Sequence, residues 1–302
     1  MSLTDGIINV YKEKGYTSHD VVAKMRGILK MKKIGHTGTL DPDAEGVLPV
    51  CIGKGTRLVD MITDKDKTYE AVCRLGITTD TQDISGKILS TAKAEITPSQ
   101  LQAAVKAYIG EYLQLPPMYS AIKVDGKKLY ELARQGIEVE RERRRVIIHD
   151  IRIEAFDQEE QEFKVVVECG KGTYIRTLLH DIGEALGCGA VMVQLLRTAV
   201  GSFSVQEALR LSEIEALVRE DKLVEHIVTV EEIFQGYTRI TLKQEYDKLI
   251  HNGNHFLPGQ SQEEKPVLQG EQVRVYDSED SFIGIYEFSS DKGAYTPVKM
   301  FL

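Results

Sequence analysis

Gly35-His36-Thr37-Gly38-Thr39-Leu40-Asp41-Pro42-Asp43-Ala44-Glu45-Gly46 is the stretch on which the reading of this chain turns. It has neither a helical nor a strand period. Yet it gathers Asp41, Asp43, Glu45, His36 and three glycines between two segments that do have a period. Glycines in a loop let the backbone come close to a ligand. A phosphate loop is excluded, because the Gly-Lys at 53–54 has Leu48 where that pattern needs its first glycine. From the residues alone three readings stand open. The acids form a metal site, a single aspartate does nucleophilic or acid–base work, or an Asp-Pro turn carries solvated acids.

The elements around the loop alternate between strand and helix patterns. Residues 6–11 read as a strand, and Ser18 as the cap of a helix over 19–31 with Val21, Val22, Met25, Ile28 and Leu29 on one face. Downstream come an apolar strand over 47–52, a short helix over 56–62 and a strand over 69–75. Thr97-Pro98-Ser99-Gln100 is a capping box that opens a helix. Lys123-Val124-Asp125-Gly126-Lys127 reads as a hairpin turn, followed by a helix that stops at Gly136. The β-branched runs at 146–156 and 163–169 flank a polar turn, as antiparallel strands do. Thr173 reads as the cap of a helix ending near Gly187, and 205–234 as helical and acidic. From about Tyr237 short strands separated by Gly, Pro, Asn and acids suggest a small all-β module. The expected class is α+β.

The chain has 302 residues, 42% hydrophobic and 28% charged, with a formal net charge of −8. No run of about 18 apolar residues suggests a membrane span, and the N-terminus lacks the basic and apolar regions of a secretory signal. The acidic balance argues against a nucleic-acid partner until it is divided. Residues 1–205 hold 28 basic and 28 acidic side chains, so the whole deficit lies in 206–302. Lys24, Arg26, Lys30, Lys32 and Lys33 form a basic run with no acid between 21 and 35, and 118–145 carries eight basic against five acidic residues. The four cysteines show no C-x-x-C pair and read as buried free thiols, and zinc spacing is absent.

Several blocks together reach beyond spacing. The loop continued through Val47-Leu48-Pro49 resembles the signature loop of the TruB-type tRNA pseudouridine-55 synthases. Asp66-Lys67-x-Tyr69 with the Leu75–Gly86 stretch, Pro116-Pro117-Met118-Tyr119-Ser120-Ala121-Ile122-Lys123, and Gly172-Thr173-Tyr174-Ile175-Arg176-Thr177-Leu178 are similar to further blocks of that family, in family order. Two places depart from it. Tyr11-Lys12-Glu13 stands where the family reads Asp-Lys-Pro, and Leu195-Leu196-Arg197 where it reads Leu-Arg-Arg.

The resemblance implies a mixed, largely antiparallel central sheet with flanking helices over 1–236, an RNA-clasping insertion at about 118–145, and a PUA-like β domain over 237–302. It implies a cytoplasmic, monomeric enzyme that flips the T-loop uridine of tRNA and isomerises it to pseudouridine without metal or other cofactor. Asp41 is then the ionised nucleophile, buried and partnered by Arg176, and Tyr69 stacks on the flipped base. His36, Tyr174, Leu195 and Asp83 line the base site. Lys24, Arg26, Lys30, Lys32, Lys33, Lys123, Lys127, Lys128, Arg143 and Arg144 become RNA-contact candidates. Two rival functions are a metal-dependent RNA hydrolase using Asp41, Asp43 and Glu45, and a tRNA-binding chaperone without chemistry.

Overall fold

A computed structural model describes residues 5–124, 126–263 and 268–302; residues 1–4 of the N-terminal segment and Asp125 of the expected hairpin lie outside the described residues. Strand β1 (Gly6–Lys12) leads to helix α1 (Ser18–Leu29). The cap of α1 is Thr17, one residue earlier than the sequence pattern suggests. Thr17 has the extended backbone a cap needs, and its Oγ1 accepts from the Asp20 amide. The Ser18 hydroxyl is instead buried and accepts from the Leu40 amide, so it serves the loop.

Strands β2 (Ile34–His36) and β3 (Glu45–Ile52) follow. The first two residues of the opening loop, Gly35 and His36, are therefore paired, opposite Cys51 and Val50. A 3-10 turn over Gly53–Leu58 and helix α2 (Val59–Thr63) replace the single expected helix. Strand β4 (Lys67–Leu75) comes next, then a two-stranded ribbon of β5 (Ile77–Thr79) and β6 (Ile88–Thr91). Helix α3 (Pro98–Lys106) starts on the capping box read from the sequence, with Thr97 and Gln100 bonded reciprocally. Beyond strand β7 (Gly110–Gln114) lie β8 (Lys123–Val124), β9 (Lys127–Lys128) and the single turn of α4 (Leu129–Ala133).

The expected antiparallel pair is β10 (Arg144–Asp157) and β11 (Glu162–Cys169). Helix α5 (Ile175–Ala185) has Tyr174 as its cap residue; the Thr173 hydroxyl, expected there, donates backward to the Gly170 carbonyl. Strands β12 (Ala190–Val200) and β13 (Phe203–Ser204), helix α6 (Leu211–Arg219) and strand β14 (Ile227–Thr229) complete the larger part. The segment read as helical is thus only partly so. Three residues at 227–229 are too few to show a period, and pairing with β1 decides them.

Among the described residues the main sheet runs β14-β1-β3-β12-β4-β11-β10-β7, with β2 on β3 and β13 on β12. Every pair is antiparallel except β3 with β12, where Leu196 meets Glu45 and Arg197 meets Gly46. The period of two divides the strands between cores. Ile8, Val10, Leu48, Val50 and Ile52 face α1 and α6. Ile7, Val47 and Cys51 face the opposite way, toward α2 and the C-terminal sheet. Helices α3 and α5 cover β4 and β11 with Leu101, Val105, Leu178, Leu179 and Ile182.

The segment between β7 and β10 leaves and returns at one point of the sheet edge, since Gln114 and Arg144 are paired. The C-terminal sheet is built from β15 (Thr238–Thr241), β16 (Gln272–Tyr276), β17 (Phe282–Ser289) and β18 (Ala294–Met300), with helix α7 (Asp247–His251) alongside. Phe282 and Phe301 stack there and join Phe234 of the larger part.

Gly46 closes the opening loop at φ 106°, and a Cβ there would collide with the backbone carbonyl of Arg197. Gly46→Ala is expected to destabilise the fold by about 1–3 kcal/mol from the backbone alone, and by more where β12 is pushed off β3. Urea denaturation checks this, and a midpoint equal to that of the parent would contradict it.

Candidate active site

The stretch after β2 is held from below by backbone bonds and two buried cations. Leu40 and Ala44 turn into the core between β4 and α5, which leaves Asp41 on the open side. The Ala44 amide bonds back to the Asp41 carbonyl at 3.1 Å, and Gly15 donates to the Pro42 carbonyl at 2.9 Å. Lys12, wholly buried at the end of β1, donates from Nζ to the carbonyls of Ala44 at 2.5 Å and Pro42 at 3.1 Å. Burial pushes its pKa down to about 8, against the pull of Asp41, Glu45 and Asp43. On the other side Arg197 of β12 donates to the Val47 and Gly38 carbonyls.

Asp41 meets Arg176 in a two-point fork, Nε to Oδ2 at 2.8 Å and Nη2 to Oδ1 at 3.1 Å. The expectation of a buried aspartate is corrected here. The arginine side chain is 4% exposed, whereas the aspartate side chain is 36% exposed. A carboxylate that is to touch a substrate needs an open side, and its partner can be sealed. Arg176 also donates to the carbonyls of Thr81 at 2.7 Å and Tyr119 at 2.9 Å. Asp83 Oδ2 lies 3.7 Å from its Nη1, and Asp83 Oδ1 accepts from the hydroxyls of Thr81 and Ser85. Asp41, Arg176 and Asp83 therefore form one charged cluster.

The other expected residues surround it to different degrees. Tyr69, on β4, is 8% exposed, and burial raises its hydroxyl pKa. Leu195 is buried on β12 opposite Ala71. Tyr174 is half-buried, its backbone clasped at both ends by the Gln114 side chain, which accepts from the amide at 2.8 Å and donates to the carbonyl at 2.9 Å. His36 lies on β2 with its ring edge-on to His19, and burial first, then His19, pushes its pKa down. The three acids of the loop do not converge. Asp43 is exposed, and Glu45 accepts from the Tyr11 hydroxyl at 3.3 Å. Among the described residues no three His, Cys, Asp or Glu side chains are grouped as metal ligands would be.

Of the basic candidates, Lys24, Lys30, Lys32, Lys33, Lys123, Lys127, Arg143 and Arg144 are exposed. Arg26 is exposed as well but donates to the carbonyls of Lys32 and Ile34, shaping the turn after α1. Lys128 is half-buried over the Tyr130 ring. Sequence reasoning does not single out Gln114, Arg197 or the carbonyls of Thr81 and Tyr119 as site groups. For Lys12 and Gln114 a signal exists, a polar side chain at the end of a strand on its inward parity.

Residues 26–175 match the model of the TruB family pseudouridylate synthase N-terminal domain, and 176–235 that of the tRNA pseudouridylate synthase B C-terminal domain. A tRNA pseudouridine synthase B of Lachnoclostridium phytofermentans is 51% identical, covering 99% of this chain and 100% of that protein. One of Alkaliphilus oremlandii is 46% identical over 93% of this chain and 92% of its own length.

This chain belongs to the TruB family.

The fold of this TruB-family chain is also that of solved structures. The box H/ACA Nop10–Cbf5 complex matches with a TM-score of 0.72 at 24% identity, over 99% of this chain and 87% of that one. A Cbf5–Nop10–Gar1 complex matches with a TM-score of 0.72 at 26% identity, over 98% and 85%. No helix among the described residues is long and apolar enough to cross a membrane.

Lys12 gives this site a pH signature in stability. Its folded pKa, about 8, lies below the ordinary 10.5. Between those values the unfolded chain binds more protons, so this group makes stability rise with pH through the window. Below pH 8 the charged amine weighs against the fold. The stability difference between the parent and Lys12→Met is expected to shift in the parent's favour from pH 7.5 to about pH 10. Parallel stability curves for the two proteins would contradict it.

Proposed function

We propose that this chain isomerises a uridine of tRNA to pseudouridine, and that its target is the T-loop uridine at position 55. The observation that carries the reading is the fork between Asp41 and Arg176, which fixes an open-sided carboxylate where a base can be brought. The TruB-family relatives carry the name of the same activity. In the reaction the bond from the ribose C1′ to N1 breaks, the uracil turns, and C1′ joins C5. The C5 hydrogen leaves as a proton and N1 ends protonated, so atoms and electrons balance without a redox partner. Asp41 acts as the nucleophile, and Arg176 holds it in a planar two-point grip that a point charge cannot reproduce.

Reaching the uridine requires flipping it out of the T loop, at a few kcal/mol for unstacking. Tyr69 offers an aromatic face for the flipped base, with Tyr174 and Leu195 as walls. Asp83 steadies Arg176, and His36, its pKa pushed down by burial, borders the site on the α1 side. Residues 1–236 make up the catalytic unit and 237–302 a PUA-like unit. The enzyme works as a monomer in the cytoplasm, with the insertion at 118–145 and the 24–33 run against the phosphates of the T arm.

Tritium release from tRNA labelled at uridine C5 tests the chemistry, since binding alone frees no C5 hydrogen. Asp41→Asn is expected to lower the rate on the order of 10³-fold or more, and Arg176→Lys by roughly 10²-fold, with tRNA affinity within a few-fold of the parent. Undiminished release from Asp41→Asn would sink the mechanism.

The basic runs make a separate prediction. Replacing Lys127 and Arg143 by Ala should weaken tRNA binding and reduce the slope of log affinity against log salt by about 1 for each phosphate no longer neutralised. An unchanged slope would remove these side chains from the RNA surface.

A further inference from the structure

Arg197 has no part in the reaction proposed above, yet it has the largest wholly buried side chain among the described residues, 1% exposed. It closes the Leu195-Leu196-Arg197 stretch, where the chain differs from the Leu-Arg-Arg pattern at Leu196 and keeps the last arginine. Its backbone registers with Gly46 of β3 on one side and with Tyr69 of β4 on the other. Its Nε donates to the Val47 carbonyl at 2.7 Å and its Nη2 to the Gly38 carbonyl at 3.3 Å. Those two carbonyls flank the segment that carries Asp41, near its start and just beyond its end.

A buried guanidinium that rests on carbonyl oxygens rather than on a carboxylate is an expensive way to fill a strand position. An apolar side chain would pack β12 at less cost. The cation is also felt by its surroundings. Together with the larger effect of burial it helps push the neighbouring Lys12 and His36 below their ordinary pKa values, and it opposes the upward push of burial on the Tyr69 hydroxyl. What the planar fork supplies, and an aliphatic chain does not, is a fixed distance between the two ends of the loop. Because residues directly opposite on antiparallel strands project to the same face, the same residue sets that loop against Tyr69.

We infer that Arg197 is a positioning residue: it spans the ends of the 38–47 segment and fixes Asp41 relative to Tyr69, so that nucleophile and stacking ring are set before the RNA arrives. The inference rests on the proposed function for its kinetic consequence and on geometry alone for its structural one, and the two are tested separately.

Arg197→Lys and Arg197→Met are compared with the parent in full-length protein. Steady-state tritium release from C5-labelled tRNA should show kcat lowered roughly 10²-fold in Arg197→Met, as for a misplacement of about 1 Å. KM and tRNA affinity should stay within about threefold. Arg197→Lys, which reaches one carbonyl at a time, should recover part of the loss. A folded Arg197→Met with the parent's kcat, or one that loses tRNA affinity in step with kcat, overturns the inference. If Arg197→Met does not fold, Arg197→Lys carries the same test, and an unchanged kcat there overturns it equally.

Backbone amide exchange needs no substrate. Exchange at 37–46 should rise at least about tenfold in the variant, with β4 and β11 protected as before. Equal protection of that segment in variant and parent overturns the inference whatever the activity. A parent that forms no pseudouridine while the variant loosens 37–46 overturns the proposed function and leaves the positioning role supported.

Discussion

A sealed guanidinium has to place five N–H donors, and Arg176 places them on three separate stretches of chain. Two go to Asp41, one to the Thr81 carbonyl and one to the Tyr119 carbonyl, and Asp83 stands 3.7 Å from the remaining side. The Asp41 loop, the turn before β6 and the chain at Tyr119 each supply an acceptor to this one side chain. A buried cation left short of partners would weigh heavily against the fold. The site is therefore not an ornament on the scaffold, because three loops take their positions from it.

The scaffold in turn explains why the fork is where it is. The cap residue Tyr174, just before Arg176, is held by Gln114, so the start of α5 is tied to the end of β7, the point from which the insertion departs and to which it returns. Among the described residues the one parallel strand pair of the main sheet, β3 with β12, lies at the foot of the Asp41 loop, and Gly46 makes it possible. Lys12 from β1 and Arg197 from β12 reach the loop backbone from opposite sides. The result is a loop without regular structure that is nonetheless held along much of its length.

Much of this is legible in the sequence, and the parts that are not share a cause. Long strands and helices with clear periods, such as β10, β11 and α3, lie where the pattern puts them, because many residues vote together. The caps of α1 and α5 do not. Thr17 and Ser18 are equally good cap residues, and only the demand of the Leu40 amide for a buried acceptor assigns Ser18 elsewhere. Strand β14 has three residues and owes its conformation to β1. The family resemblance pairs Asp41 with Arg176 and suggests that the aspartate is buried; a motif pairs residue types but does not say which partner faces the opening.

The sequence by itself determined the family, the mixed α+β class and the set of residue types that meet at the site, since these depend on local pattern and on long ordered blocks of chain. It also located the net charge in the last third, which left the neutral body free to carry two basic runs. The tertiary structure alone decided which backbone carbonyls Arg176, Arg197 and Lys12 satisfy, which side of the Asp41 pair is open, and that the three loop acids diverge. The physical reason is that a buried donor must find an acceptor wherever the fold brings one. That acceptor is often a main-chain oxygen, which every residue carries and no sequence pattern marks.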